Sequence, residues 1–327
     1  MVRVFWRKWR VFSACLLTVH LLTVNLVRTN TPGGNSRKLR LAVCITGQLS
    51  RLEIRSKVLG VFEPAERAGV FTRAFVVVQD NREPIYTSDI TYALKHTSHK
   101  SRIEVQQDYR ARLAPWLAKF DVREQNFDAI PAVNLSVLPF YRSEKDTARR
   151  KFLLKAHISQ FSMVRNCAQL IVAYEQVHSI QFDTILKLRD NTVVLKPYVV
   201  PSPVKRLKAA VFIKDCGGWG GYNDKTAIIP REYMEIVLRG WVETLLLDYS
   251  KEIHGRSKNS ETFLKHLLVL NKIPVHLVSA DEMPFVDARL YMGSEPCLVS
   301  HEKDCHPAPP WEFYVEQCRK ASVSRVY

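Results

Sequence analysis

Apolar positions fall along this chain in short dense runs, separated by segments where they recur at helical spacing. Leu39–Thr46 (LRLAVCIT), Ala74–Val78 (AFVVV) and Asp183–Leu188 (DTILKL) are nearly continuous in hydrophobicity and rich in β formers, as strands buried on both faces must be. A polar, helix-compatible stretch, Ser50–Ala68, separates the first two. Strand, helix, strand in that order predicts a parallel sheet that meets ligands at its carboxyl edge. A long helix is predicted over Lys145–His178, with Phe152, Ile158, Phe161, Val164, Ala168, Ile171 and Val172 as its apolar stripe. His157 and Cys167 on that helix are read as surface or ordinary packing. Further strands are predicted at Ala209–Ile213, Thr226–Ile229 and Pro274–Val278, and helices at Glu232–Tyr249 and Glu261–Leu270. Asn81–Tyr141 shows neither period and is read as irregular. No internal repeat is present. The fold class expected is α/β with a mostly parallel central sheet.

One apolar run does not belong to this alternation. Val11–Val27 is 17 residues without a formal charge, near the minimum for a membrane-spanning helix. Trp6 and Trp9 suit the interface, and Arg3, Arg7, Lys8 and Arg10 precede the run, so the positive-inside tendency leaves the amino end in the cytosol. The expected organisation is a cytosolic tail (1–10), a signal anchor (11–27), a stem (28–38), a body (39–294) and a cysteine-containing tail (295–327). The body would then be lumenal, in the Golgi or endoplasmic reticulum. A cleaved signal peptide would want a small-x-small site after the run, which the chain lacks, and the run is too continuous for an amphipathic presequence.

Charge changes meaning once the anchor is set apart. The chain carries 48 Lys and Arg against 32 Asp and Glu, a balance of +16, but eight basic residues and no acid lie in positions 1–40. Half the excess therefore frames the anchor, and nucleic-acid binding loses most of its support. Seven cysteines are present, one in the apolar run and six after it, three in the body and three in the tail. Their spacing is not that of a zinc site, and six allow 15 pairings. Cys297, Cys305 and Cys318 fall close together in a tail rich in Pro and polar residues, where at least one disulfide is expected. The sequon Asn134-Leu135-Ser136 is open to glycosylation if the body is lumenal.

Four segments carry candidate chemistry. In Cys44–Arg51 (CITGQLSR) a strand ends in Gly47-Gln48, where backbone amides can approach a phosphate and Arg51 can pair with a diphosphate. The segment lacks the GxxxxGK[ST] pattern, which excludes a P-loop. In Leu186–Asn191 (LKLRDN) a carboxylate, Asp190, leaves a central strand where a divalent cation bridging a diphosphate can be held. Lys187 and Arg189 share one strand face and need acidic partners if buried. In Lys214–Lys225 (KDCGGWGGYNDK) four glycines surround Trp219, an aromatic plate of the kind that holds a sugar ring, with Asn223 and Asp224 as hydrogen-bonding groups. In Lys258–Val275, Ser260 can cap a helix with Glu261 in its first turn. Capping alone accounts for Glu261; a general base acting on an acceptor hydroxyl is the alternative.

Taken in this order, CITGQLxR, LKLRDN, WGGxNDK and NSExFLKxxL resemble the GT-A type of nucleotide-sugar glycosyltransferase, in particular type II Golgi enzymes and a group of glycosyltransferase-like membrane proteins that share these motifs. The resemblance covers about positions 39–305. It implies a Rossmann-like GT-A domain with Gly47, Gln48, Arg51, Arg189, Asp190 and Asn191 near the donor. Trp219 and Asn223 would lie near sugar, and Glu261 and Asp224 would be the catalytic candidates. It also implies Mn²⁺ or Mg²⁺ held by Asp190 and a late histidine; His301 suits by chain order, as do His276 and His306. Asn191 departs from the pattern, standing where a second acid is expected, and an amide is a weaker metal ligand. The expected function is transfer of a sugar from a nucleotide-sugar donor to a glycan or glycoprotein acceptor. A catalytically inactive, glycan-binding or scaffolding member is the alternative. If the anchor is uncleaved, the full-length protein stays in a carbonate-washed membrane pellet; recovery in the soluble fraction removes the anchor.

Overall fold

The computed structural model describes residues 38–80, 101–124, 145–200, 210–246, 256–292, 296–300 and 305. They all belong to the unit Lys38–Tyr327. The expected cytosolic tail, anchor and nearly all of the stem, the sequon at Asn134, and His301, His306 and Cys318 lie outside the described residues. Among the described residues no helix is long and apolar enough to cross a membrane.

The LRLAVCIT run forms β1 (Arg40–Gln48), buried from Leu41 to Gly47. It pairs in parallel with β2 (Phe71–Asp80) on one side and with β4 (Thr184–Arg189) on the other. β3 (Leu117–Glu124) extends the parallel set beyond β2. On the far side β7 (Ala227–Pro230) runs against β4 and against β6 (Val211–Lys214), and β8 (Val275–Val278) closes the edge parallel to β6. The seven-stranded sheet has the order β3-β2-β1-β4-β7-β6-β8, and β7 alone is reversed. The fold is mixed α/β with a mostly parallel central sheet, as expected. A second sheet of three antiparallel strands joins β5 (Thr192–Val194), β9 (Phe285–Met292) and β10 (Pro296–Ser300).

Strand alternation divides the interior into two cores. Leu41, Val43 and Ile45 of β1, with Ala74, Val76 and Val78 of β2, face one core. It is completed by α1 (55–67), which includes a π turn at Val58–Phe62, and by α2 (Arg102–Leu113). Ala42, Cys44, Phe75 and Val77 face the other core, against α3 (Thr147–His178), α4 (235–246) and α5 (Ser260–Leu270). Helices thus cover both faces, which explains why the central strands carry almost no polar residues.

Several expectations need correction. α2 and β3 lie in the segment read as irregular. Only Phe120 of β3 is buried, so this edge strand lacks the apolar run that marks the others. α2 had a legible start, the capping box of Ser101 and Glu104, and buried Val105, Tyr109 and Leu113 at four-residue spacing. Phe152 is 59% exposed and lies off the apolar stripe of α3. Cys167 is not mere packing, since it forms a disulfide with Cys44 that ties α3 to β1. Cys305 does pair, but with Cys216 in the glycine-rich segment, 89 positions away, and not with a neighbour in the tail.

The carboxyl end of α3 is pinned by Glu175. Its buried carboxylate accepts from Arg231 Nε at 2.9 Å, from Arg231 Nη2 at 2.7 Å and from the Phe182 amide at 3.0 Å. Removing one partner of such a pair strands the other, at about 3 kcal/mol. Glu175→Ala is therefore expected to lower the unfolding free energy by that amount, read as a lower urea midpoint with an unchanged m-value.

Candidate functional site

The order 3-2-1-4 of the first four strands makes a topological switch point at the carboxyl ends of β1 and β4, where connections diverge to opposite sides; ligands bind open α/β sheets at such points. Thr46 and Arg189 are in register there, so Gly47, Gln48 and Asp190 emerge side by side. Asp190 is fully enclosed. Its Oδ2 accepts from the Gln48 amide and from Arg51 Nε, each at 2.9 Å, and its Oδ1 accepts from Arg51 Nη2 at 3.3 Å. A Cβ at Gly47 would lie 2.2 Å from the Asp190 carboxyl carbon, so this glycine is required by close approach. The structure therefore brings together Gly47, Gln48, Arg51 and Asp190, which the sequence had grouped from two distant segments.

Lys57 completes this corner. It is fully buried, and its ammonium donates to the carbonyls of Glu53 (2.5 Å), Asp190 (3.0 Å) and Thr192 (2.5 Å). Burial pushes its basicity down, against the opposing charges of Glu53, Asp190 and Asp287. Nothing in the polar Ser50–Ala68 stretch singled it out in the sequence.

The glycine-rich segment packs on the start of α5. A Cβ on Gly221 would fall 2.1 Å from the backbone of Glu261, and the Tyr222 amide donates to Glu261 O at 3.0 Å. The helix cap is Asn259 and not Ser260: the Asn259 backbone is extended and its side chain accepts from the Thr262 amide. Ser260 instead donates its hydroxyl to Glu261 Oε2 at 3.0 Å. Asn259 also donates to Trp219 O at 3.2 Å, holding a residue whose backbone lies in the left-handed region (φ 41°) and whose side chain is 69% exposed. Asn223 is buried; its amide bridges Cys216 O and the Lys225 N–H, which makes it a brace of the loop.

Asp224 and Glu261 meet across this junction, 4% and 8% exposed, with the Lys225 ammonium 3.6 Å from Asp224 Oδ1 and 3.5 Å from Glu261 Oε1. Burial works against ionised Asp224, but Lys225, Arg189, Lys187 and His157 outweigh it and hold the carboxyl below its ordinary range. For Glu261, burial and then the Asp224 charge dominate and push it up, with Lys225 pulling back. Two neighbouring carboxyls are thus driven apart, the arrangement that separates a proton-handling group from a permanently charged one.

Arg189 stands among these groups. Burial opposes its charge, yet Asp287, Asp224, Asp190 and Glu261 together keep it more basic than free arginine. Lys187, on the same strand face, meets backbone instead of a carboxylate, donating to the carbonyls of Asp224 and of Lys225. Burial brings it down to about 8. His157 of α3 also belongs to this neighbourhood: burial lowers its basicity, while Asp224 acts on it in the opposite sense. Asp287 of β9 was not legible in the sequence, because it becomes a neighbour of Arg189 only through the pairing of β5 with β9. Its Oδ1 accepts from Thr192 Oγ1 at 2.9 Å, and the same hydroxyl oxygen accepts from the Arg189 amide at 3.1 Å.

A divalent cation at this corner would need free carboxylate oxygens. Both oxygens of Asp190 are engaged by Arg51 and Gln48, and among the described residues no three His, Cys, Asp or Glu side chains group as a cation site. Asp190 as placed does not fit a metal ligand.

No family model and no curated sequence matches the chain. Among solved structures, it is similar to a nucleoside-diphosphate-sugar pyrophosphorylase from Vibrio cholerae RC9, at 10% identity and a TM-score of 0.36 over 76% of this chain and 94% of that one. It is also similar to mouse xyloside xylosyltransferase 1 in its apo form, at 9% identity and a TM-score of 0.33 over 75% of this chain and 86% of that one. Neither likeness carries an argument about chemistry, which rests on the residues above.

Glu261 gives the site a signature in stability. A carboxyl whose folded value is raised favours the fold fully below its unfolded value, near 4.5, and loses that contribution as pH rises through the folded value. Glu261→Gln keeps the neutral form at every pH. The variant is expected to have a higher Tm than the wild type at pH 7–8, with the difference vanishing below about pH 4.5; equal Tm values across that range would remove the raised Glu261.

Proposed function

We propose that this protein is a glycosyltransferase that moves a sugar from a nucleotide-sugar donor to a glycan or glycoprotein acceptor. The observation that carries the reading is the Asp224–Glu261 pair, driven apart in proton affinity and set beside Arg189 at the carboxyl edge of the sheet. Glu261 takes the proton of an acceptor hydroxyl as that oxygen bonds to the sugar carbon and the bond to the diphosphate breaks. Asp224 stays ionised. Arg189 and Arg51, the latter with its side chain 32% exposed, supply positive charge for the departing diphosphate, and the exposed Trp219 ring offers a stacking face for a sugar. The body is placed in the Golgi or endoplasmic reticulum lumen behind the anchor at 11–27. The Cys44–Cys167 and Cys216–Cys305 disulfides support an oxidising compartment.

A second reading has one observation in its favour. Asp190 is sealed and saturated by Arg51 and Gln48, as a group kept for structure would be. On that reading the protein binds glycans or scaffolds other enzymes without catalysis.

Purified protein is to be assayed for hydrolysis and transfer with a panel of nucleotide sugars, with and without Mn²⁺ or Mg²⁺. Turnover of one donor is expected, with Glu261→Gln lowering kcat by about 10²–10⁴ while donor affinity changes little, and Arg189→Ala weakening donor binding. Failure of every donor in both assays, combined with binding to a glycan array, leaves the second reading in place of the first.

A further inference from the structure

Lys225 stands between Asp224 and Glu261. Its ammonium faces Asp224 Oδ1 at 3.6 Å, Glu261 Oε1 at 3.5 Å and the Gly217 carbonyl at 3.4 Å. All three separations are longer than an ordinary hydrogen bond, and the charge of the ammonium acts on both carboxylates at once. Asp224 Oδ1 is itself enclosed and has no hydrogen-bond partner among the described residues, which leaves the Lys225 ammonium as the close charge it faces.

The remaining charges treat the two carboxylates unequally. Asp224 has Arg189 and Lys187 from β4 and His157 from α3 acting in its favour, besides Lys225. Glu261 has the Ser260 hydroxyl on its own helix and a weaker pull from Arg189, which Asp224 feels more strongly, and the Asp224 charge works against its ionisation. Lys225 is therefore the cation that matters most where help is scarcest.

Resting on the glycosyltransferase reading, we propose that Lys225 is a positioning residue whose shared ammonium keeps Glu261 ionised beside Asp224 near neutral pH, and so sets the lower pH limit at which Glu261 can accept a proton from an acceptor hydroxyl. The sign follows from geometry. Removing the ammonium leaves two adjacent buried carboxyls with one fewer cation; Asp224 retains Arg189 and Lys187, and Glu261 holds its proton to higher pH. Lys225→Arg keeps a cation in the same place.

Two measurements test this. In transfer assays the acid limb of the kcat/KM profile of Lys225→Met is expected to move up by about one to three pH units, and Lys225→Arg is expected to return it toward the wild type. A merely structural Lys225 would lower activity without moving the limb, which overturns the proposal. The second measurement needs no turnover. The Tm gain from Glu261→Gln at pH 7–8 is expected to be larger in the Lys225→Met background than in the wild type, because the ionised glutamate is then less compensated. Equal gains in the two backgrounds overturn the proposal even if the enzyme is active. A larger gain in the Lys225→Met background sustains the electrostatic role of Lys225 even if no donor turns over, in which case it is the transferase reading that falls; a smaller gain overturns the proposal.

Discussion

The Asp190 carboxylate, enclosed where β1 and β4 leave the sheet, is the constraint on which the rest of the site depends. Two parallel strands whose connections diverge expose amide and carbonyl groups that have no ladder partner. One carboxylate meets much of that need by accepting from the Gln48 amide and from Arg51, while its own backbone carbonyl accepts from Glu53 N and Lys57. Gly47 leaves the space for it. Arg51 and Arg189 gain their positions from this knot, one by bonding the carboxylate and the other by adjacency in sequence.

A second regularity is the use of buried ammonium groups to tie strand ends to loops. Lys57, Lys187 and Lys214 are all buried, and each donates to backbone carbonyls from segments distant in sequence. A buried lysine is unfavourable unless its donors are met, and carbonyl dipoles meet them here, with the Glu53 carboxylate a further counter-charge 3.7 Å from Lys57. Lys214 binds Phe285 O and Cys305 O, and the Cys216–Cys305 disulfide begins two residues further on. The glycine-rich segment is thereby fixed at its start by a cation and a covalent bond and at its middle by the backbone of α5. This is why Asp224 and Glu261, from separate segments, hold a definite relation.

The strands buried on both faces were legible because burial on both sides leaves no room for polar residues: Leu39–Thr46, Ala74–Val78 and Asp183–Leu188 sit within or across β1, β2 and β4. The long helix was legible from its period and ends close to where it was expected, at His178. β3 was not, because an edge strand with one buried side chain has no pattern to detect. The helix cap moved from Ser260 to Asn259 because both residue types can cap, and the choice is made by backbone conformation. Phe152 failed as a core residue because it lies on the face of the helix opposite to Leu154, Ile158 and Phe161, which carry the packing.

Sequence by itself determined the class of fold, the central strands and the segments that carry charge and glycine at strand exits, since these follow from local periodicity and from what the backbone at a turn requires. Tertiary structure decided which of those residues meet. Gly47 with Asp190, Gly221 with Glu261, Asp287 with Arg189 and Cys216 with Cys305 are separated by 40 to 143 positions. Charge interactions in a buried site depend on distances of a few ångströms, and the spacing of residues along a chain does not contain them. The same physics turned three conspicuous basic residues, Lys187, Arg189 and Lys225, from a generic positive charge into counter-ions and ties for particular neighbours.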